Sequence, residues 1–249
     1  LEAMYYPGNL VLLPPELFLA RPALWLRALS RHRGIVSPAP NFAYGLCLKR
    51  IRDDDVEDVD LGHWKYALNG AEPIAAAVQE RFAARFARVG FRGESLMPVY
   101  GLSECALAAT FTSADGVKRQ LRVDAGALAA TGRVSPGARR IVSVGTPIPG
   151  AAIDVRDDQG ASAVDGQVGR VWVRAPFVMQ GYFGQPKASA EVLRDGWLDT
   201  GDLGVLDGGE LFITGTQRLE RVTVFVDITD QAADVGRSAL RWALRRAHR

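Results

Sequence analysis

The chain is poor in cysteine, lysine and histidine, and it has no long apolar run. Its two cysteines, Cys47 and Cys105, sit in apolar segments, and no Cys/His spacing suits zinc. This excludes a disulfide scaffold and a Cys/His zinc module, and the expectation is two reduced core thiols of a cytoplasmic protein. Lysine is confined to Lys49, Lys65, Lys118 and Lys187, while arginine supplies nearly all the positive charge. The arginines are scattered rather than clustered, a pattern that codon bias of a GC-rich genome explains, and no nucleic-acid partner is expected. No stretch reaches about eighteen apolar residues, so no transmembrane segment is expected. The opening "LEAMYYPGNLVLL" lacks a basic leader and a small-residue cleavage site, so no signal peptide is expected either. It also lacks Met at position 1, and the chain reads as beginning within a fold.

What is present is an ordinary globular balance. With 249 residues, 48% of them hydrophobic, the chain can bury a substantial core in one large or two small domains. The net charge of +2 is uneven: residues 216–249 hold seven Arg against four acids, so the tail carries +3 and the remainder −1.

Up to about residue 112, strand and helix patterns alternate. "PALWLRALSRH" puts Leu24, Trp25, Ala28 and Leu29 on one helical face, with Pro22 at the first turn and Gly34 after the end. "IVS" then reads as a short buried strand. "PNFAYGLCLKRI" predicts a helix with Phe42, Leu46 and Ile51 roughly in line, and the acidic run Arg52–Asp60 a solvated loop. His63, beside Trp64, is expected to pack rather than react. "WKYALNGAEP" predicts a strand that breaks at Asn69-Gly70 and restarts as a helix at Pro73, ending at Gly90. "LMPVY" predicts another strand. Such alternation argues for a mostly parallel, helix-covered sheet, in which ligands bind beyond the carboxyl ends of the strands. Residues 113–139 read as a short helix and loop. From about 140, short alternating segments split by Gly, Pro and Asp predict a small barrel or sandwich. The expected fold class is therefore α/β: a partial parallel sheet with flanking helices over 1–139, a β-rich barrel-like subdomain over 140–215, and a divergent basic tail over 216–249.

Four stretches carry groups suited to chemistry. In "YGLSE", Gly101 permits close approach of a ligand, Ser103 can donate to a phosphate oxygen, and Glu104 can hold a hard cation. In "NGAEP", small residues let a flat ring lie against the backbone. In "GWLDTGDLG", Asp199 and Asp202 flank a tight turn at Gly201, and a carboxylate there can accept two hydrogen bonds from a ribose diol. In "VMQGYFGQPKAS", Tyr182 follows a glycine in a loop, with a helix starting after Pro186. Alone, each is weak, because Gly-Asp turns and Gly-Glu caps are common. Their order and spacing are what distinguish them.

That ordered set, "NGAEP", "YGLSE", "VGTPIPG", "GRVWVRAPFVMQGYF", "DGWLDTGDLG" and "GELFITG", resembles the adenylate-forming enzymes over roughly residues 10–215. This large family takes in acyl-CoA synthetases, peptide-synthetase adenylation domains and luciferases. The run from "RPALWLRALS" to "NGAEP", and the long interval between Glu104 and "VSVGTPIPG", look most like its fatty acyl-AMP ligases. The resemblance implies that Asn69, Gly70, Ala71 and Glu72 border an adenine pocket and that Tyr100 packs on the ring. It implies further that Gly101, Leu102 and Ser103 lie along the nucleotide, with Ser103 at the α-phosphate, and that Glu104 holds Mg²⁺. Asp202 would bind the ribose hydroxyls, Phe212 and Ile213 would support the adenine side, and Asn41, Phe42, Ala43 and Tyr44 would lie near the acyl tunnel. The implied reaction is attack by a long-chain fatty carboxylate on the α-phosphorus of ATP, giving acyl-AMP and pyrophosphate. An acyl carrier protein or polyketide synthase would be the acceptor, in lipid or polyketide assembly.

Family features are also missing. No Ser/Thr/Gly-rich phosphate loop with a lysine is present, and only 34 residues follow Gly215 where the family has a lysine-bearing domain of roughly a hundred. After "FITG" the family reads Gly-Arg-x-x-Asp, whereas this chain reads "GTQRLERV", with Thr216 at the arginine's place and Arg218 or Arg221 as substitutes. The tail reads as a strand, "VTVFVDITD", and a basic helix, "AADVGRSALRWALRRAHR". Truncation with a replaced end, or a frameshifted gene, explains it better than a helix that touches a membrane surface or partner. The expectation is an AMP-binding portion with negligible adenylation activity alone. The alternatives are a fragment of a fatty acyl-CoA ligase and a non-enzymatic nucleotide- or partner-binding module.

Overall fold

The computed structural model describes residues 8–113 and 118–216, all within one compact unit, 1–217. The tail strand, the basic helix, Arg218 and Arg221 lie outside the described residues.

The first part is built on three parallel strands: β1 (Val36–Pro40), β2 (Tyr66–Gly70) and β3 (Leu96–Tyr100). Helices α1 (Pro15–Ala20) and α2 (Ala23–Arg31) precede β1. Helix α3 (Asn41–Arg50) joins β1 to β2, and α4 (Ala76–Phe86) joins β2 to β3. Two short antiparallel strands, β4 (Thr110–Phe111) and β7 (Thr146–Pro147), extend this sheet in the order β1-β2-β3-β4-β7. The core is an aromatic cluster in which Tyr44 (α3), Trp64, Phe82 and Phe86 (α4) are each under 2% exposed. Tyr44–Phe82 and Trp25–Trp64 pack edge-to-face at 5.0 and 5.1 Å, the arrangement favoured by the ring quadrupoles.

Several expectations of this half need correction. The inward stripe of α2 is Trp25, Leu26 and Leu29, not Leu24 and Ala28. The Trp25 indole N–H donates to Ser37 Oγ at 2.9 Å, a bond that fixes the roll of the helix. On α3 the buried residues are Asn41, Ala43, Tyr44 and Cys47, while Phe42 is 43% exposed. The "IVS" strand is not buried: β1 forms the sheet edge, and Ile35 and Val36 are 54% and 53% exposed. The acidic run is anchored, because Val56 and Val59 plunge into the core and Asp55 accepts from the Arg52 backbone N–H. The helix expected from Pro73 starts at Ala76.

The second part opens with β5 (Gln120–Val123), which pairs with β6 (Arg139–Val142) across helix α5 (Ala125–Thr131). Asp124 caps α5 by accepting from Ala127 N–H at 2.7 Å, as a short polar residue does at an N-cap. The expected helix is there, but β5 replaces the expected loop, and its ladder with β6 runs across the 139/140 boundary. Next come β8 (Ala152–Arg156), β9 (Gly169–Arg174), helix α6 (Pro186–Val192), β10 (Leu193–Arg194), β11 (Trp197–Asp207) and β12 (Glu210–Thr216). Their sheet runs β10-β11-β9-β8, with β12 on β11. Val155, Val171 and Leu211 fill its inner face. On its outer face Arg156 lies over both Trp172 and Trp197, at 4.7 and 4.8 Å from the ring centroids. No helix among the described residues is long and apolar enough to cross a membrane.

Candidate functional site

The parallel register brings three strand ends level: Pro40 lies opposite Gly70, and Asn69 lies opposite Pro98, two residues before Tyr100. The segments that leave these ends are Asn41–Tyr44, Ala71–Glu72 and Gly101–Glu104. Two of the four stretches singled out in the sequence, with the Asn41–Tyr44 segment, thus start from one rim, where side chains and backbone escape the sheet and can meet a ligand.

The first two segments are stitched to each other. Asn69 Nδ2 and the Ala75 backbone N–H both reach Asn41 Oδ1, at 3.4 and 3.3 Å. Pro40 precedes α3 and offers no side-chain cap, and the Glu72 carboxylate instead accepts from the Phe42 N–H. A carboxylate at a helix N-terminus answers both the orphan donor and the dipole. Burial raises the Glu72 pKa above its ordinary value, partly offset by that hydrogen bond. Asn69, Ala43 and Tyr44 are buried, so this side of the rim presents Ala71, Glu72 and Phe42. Tyr44 donates to Leu68 O at 3.1 Å within the core, and burial drives its phenol pKa far upward.

Two glycines have a different cause from the ligand approach that the sequence suggested. A Cβ on Gly70 would lie 2.8 Å from both Val99 Cγ2 and Val99 O. One on Gly101 would lie 1.9 Å from Leu107 O. Both absent side chains let the chain approach itself. After Gly101 it makes a tight turn over Ser103–Cys105 and passes through Ala106 (φ 53°) and Leu107 (φ 81°) before Ala109 N–H bonds back to Tyr100 O at 2.9 Å. Non-glycine residues in the left-handed region carry strain, and here two lie together, with Ala71 (φ 64°) on the same rim.

The third segment is tied to the β-rich part by two phenol–carboxylate bonds. The Tyr100 hydroxyl donates to Asp202 Oδ2 at 2.8 Å across 102 residues of sequence. Tyr182 donates to Glu104 Oε1 at 2.7 Å across 78. Burial first, and then the neighbouring Asp202 charge, push the Tyr100 phenol pKa well above its ordinary value, so it remains a donor. Asp202 is aimed by an irregularity: between Asp199 and Leu203, β11 carries more residues than β9 beside it, and such a bulge redirects side chains. "GWLDTGDLG" is therefore a bulge inside one long strand rather than a turn between two. Asp199 is 5% exposed and occupied, pairing with Arg170 at 3.2 Å and accepting from Gly201 N–H at 3.0 Å.

The structure does not bring every expected residue to the rim. Phe212 is fully buried in a separate cluster with Val123, Leu128 and Ile141, whereas Ile213 packs in the cluster that includes Tyr100. Ser103 is exposed and Leu102 half-buried beside Tyr100. No group of three or more His, Cys, Asp or Glu suited to a metal exists among the described residues. Glu104, half-buried with Oε2 outside its bond to Tyr182, matches what Mg²⁺ uses when nucleotide phosphates and water supply its other ligands. Tyr182 was visible in the sequence as a loop residue, but nothing there paired it with Glu104.

Residues 3–183 match the family model described as AMP-binding enzyme. The chain belongs to the AMP-binding enzyme family. Among curated members it is 34% identical over 223 residues to a long-chain-fatty-acid–AMP ligase of Mycobacterium marinum, covering 82% of this chain and 38% of that protein. It is 30% identical over 256 residues to a medium-chain-fatty-acid–[acyl-carrier-protein] ligase of Teredinibacter turnerae, covering 94% and 39%. Among solved structures, one from a study of fatty acyl-adenylate ligases from E. coli and L. pneumophila superposes with a TM-score of 0.76 at 39% identity, covering 80% of this chain and 37% of that one. The L. pneumophila ligase in complex with acyl adenylate and pyrophosphate gives 0.74 at 34% identity, over 81% and 38%. The chain thus spans less than two fifths of the length of these family members.

Proposed function

We propose that this chain is the AMP-facing portion of a fatty acyl-AMP ligase, a protein that activates a long-chain fatty acid as its acyl-adenylate at the expense of ATP. The observation that carries this reading is the Tyr100–Asp202 bond, which unites a strand-end aromatic with a bulge carboxylate on one rim. In this reading the adenine lies against Tyr100 and the Asn69–Glu72 wall, with Ile213 behind and Phe212 supporting from within the core. The ribose hydroxyls donate to Asp202, and Gly101–Ser103 follow the α-phosphate. Asn41–Tyr44 flank the acyl chain, with Phe42 as the exposed member. Glu104 would hold Mg²⁺, which supplies charge neutralisation on the phosphates. The work of the protein is positioning: the acid's carboxylate oxygen attacks the α-phosphorus and pyrophosphate leaves in line.

The acceptor of the acyl group is an acyl carrier protein or polyketide synthase, the setting is lipid or polyketide biosynthesis, and the location is the cytoplasm. The ligase of T. turnerae, named for transfer to acyl carrier protein, supports that acceptor. Three functional regions are proposed: 1–139 for the base and acyl walls, 140–215 for the ribose carboxylate, and 216–249 as a tail. The test is titration of the chain with a fluorescent AMP analogue. Saturable binding that Asp202→Ala weakens by about tenfold or more, the scale of a lost hydrogen bond to a charged group, is expected. Equal binding by Asp202→Ala, or none by the unaltered chain, overturns the reading.

A further inference from the structure

We propose that Tyr182 is a positioning residue for Glu104, holding its carboxylate so that Oε2 is presented to a divalent cation arriving on the phosphates of a nucleotide. The inference rests on the nucleotide reading above and adds a residue to it. Four hydrogen bonds carry it. The phenol donates to Oε1 at 2.7 Å, so one carboxylate oxygen is committed and the rotamer is fixed. The loop bearing Tyr182 is fastened to the same turn a second time, Met179 N–H donating to the Glu104 carbonyl at 2.7 Å. Tyr182 is itself braced, because its backbone N–H donates to Ser189 Oγ at 2.8 Å, and Ser189 Oγ in turn donates to Gln185 O at 2.8 Å. Gly181, at φ 150°, has no room for a side chain, since a Cβ would meet Ser189 Oγ at 2.8 Å. The brace thus runs from α6 through the tyrosine to the carboxylate.

A lone flexible glutamate loses rotamer freedom when it binds a cation. One already held by a neighbouring donor has less to lose and keeps its geometry, as hydrogen-bonded carboxylates at metal sites do. A tether that merely stabilised the loop would leave cation affinity alone when removed.

The experiment compares the full chain with Tyr182→Phe, Glu104→Ala and the double variant. Binding of N-methylanthraniloyl-ATP without metal is measured by fluorescence, Mn²⁺ binding in the presence of ATP by electron paramagnetic resonance, and ligand-free melting by circular dichroism. The expected result is metal-free nucleotide affinity unchanged in Tyr182→Phe, Mn²⁺ binding weaker by about tenfold, and a double variant that melts no lower than Glu104→Ala alone. Unchanged Mn²⁺ affinity in Tyr182→Phe, or melting shifts that simply add, overturns the proposal. Nucleotide binding with no Mn²⁺ response in the unaltered chain overturns it while leaving the nucleotide reading intact. Absence of metal-free nucleotide binding removes both.

Discussion

The two sides of the rim are built on opposite principles. On one side, residues 41–72 fold their polar groups back into the protein: Asn69 is fully buried, Asn41 is 2% exposed, and Glu72 is committed to the Phe42 N–H. On the other, Tyr100 and Glu104 reach outward to partners 102 and 78 residues away. A wall whose polar groups, Asn69 Oδ1 apart, bond within the protein is rigid without a ligand. An edge whose carboxylates each bond a single phenol keeps acceptor capacity for one. In the proposed reading the first side supplies shape and the second supplies recognition, although in the sequence the two motifs look alike.

The largest expected effect is on stability, at the strained turn. Gly101→Ala forces a Cβ within 1.9 Å of Leu107 O, a backbone atom. It should cost about 3 kcal/mol or more in urea unfolding, at the upper end of overpacking costs. Gly132→Ala, where nothing lies within 4 Å but φ is 63°, should cost only about 1 kcal/mol from backbone strain. Next in size, Asp202→Asn should weaken AMP binding by roughly tenfold, since hydrogen bonds to an ionised acceptor are worth about 1.5–3 kcal/mol. Asp199→Asn, three residues away, should act through stability instead, because its carboxylate is spent on Arg170 and Gly201. Titration and melting of both variants separate the two roles.

The wall makes a smaller prediction with a definite sign in pH. Glu72→Ala removes a helix-capping acceptor and should cost about 1 kcal/mol. Glu72→Gln keeps an acceptor oxygen and should not. Because burial raises the Glu72 pKa in the fold, the folded chain binds its proton more tightly than the unfolded chain. Its contribution is therefore present below the ordinary glutamate range and is lost as pH rises through the raised value. Glu80, held low by Arg140, works the other way and loses its contribution as pH falls. Melting of Glu72→Gln relative to the unaltered chain should accordingly gain on going from pH 4 to pH 7. A difference independent of pH would show that Glu72 is not coupled to the fold. The smallest effect belongs to that half-exposed pair: Arg140→Gln should change stability by about 0.5 kcal/mol or less, as surface ion pairs do.

The sequence revealed what is local. The alternation that predicts β2, α4 and β3 is set by side chains a few residues apart, and those elements stand close to where the pattern puts them. The exposure of β1 was not legible, because an apolar triplet at a sheet edge reads the same as one at its centre. β5 escaped because its alternation, Gln-Leu-Arg-Val, lasts only four residues, too short to tell a strand from a loop. Glycine signals either a turn or a bulge, so the sequence alone suggests a turn at Gly201, and the long pairing of β11 with β9 and β12 decides the matter. At the site, the order of motifs pointed to one nucleotide. The Tyr100–Asp202 and Tyr182–Glu104 bonds depend on how distant segments come together, and no spacing records them.

Hydrogen–deuterium exchange of the chain with and without AMP tests the convergence of these rims most directly. The account predicts that AMP protects amides in 69–75, 100–112 and 197–207 together and leaves the far edge at Ile35–Ser37 unchanged. Protection confined to one of those three segments, or spread elsewhere, would contradict it.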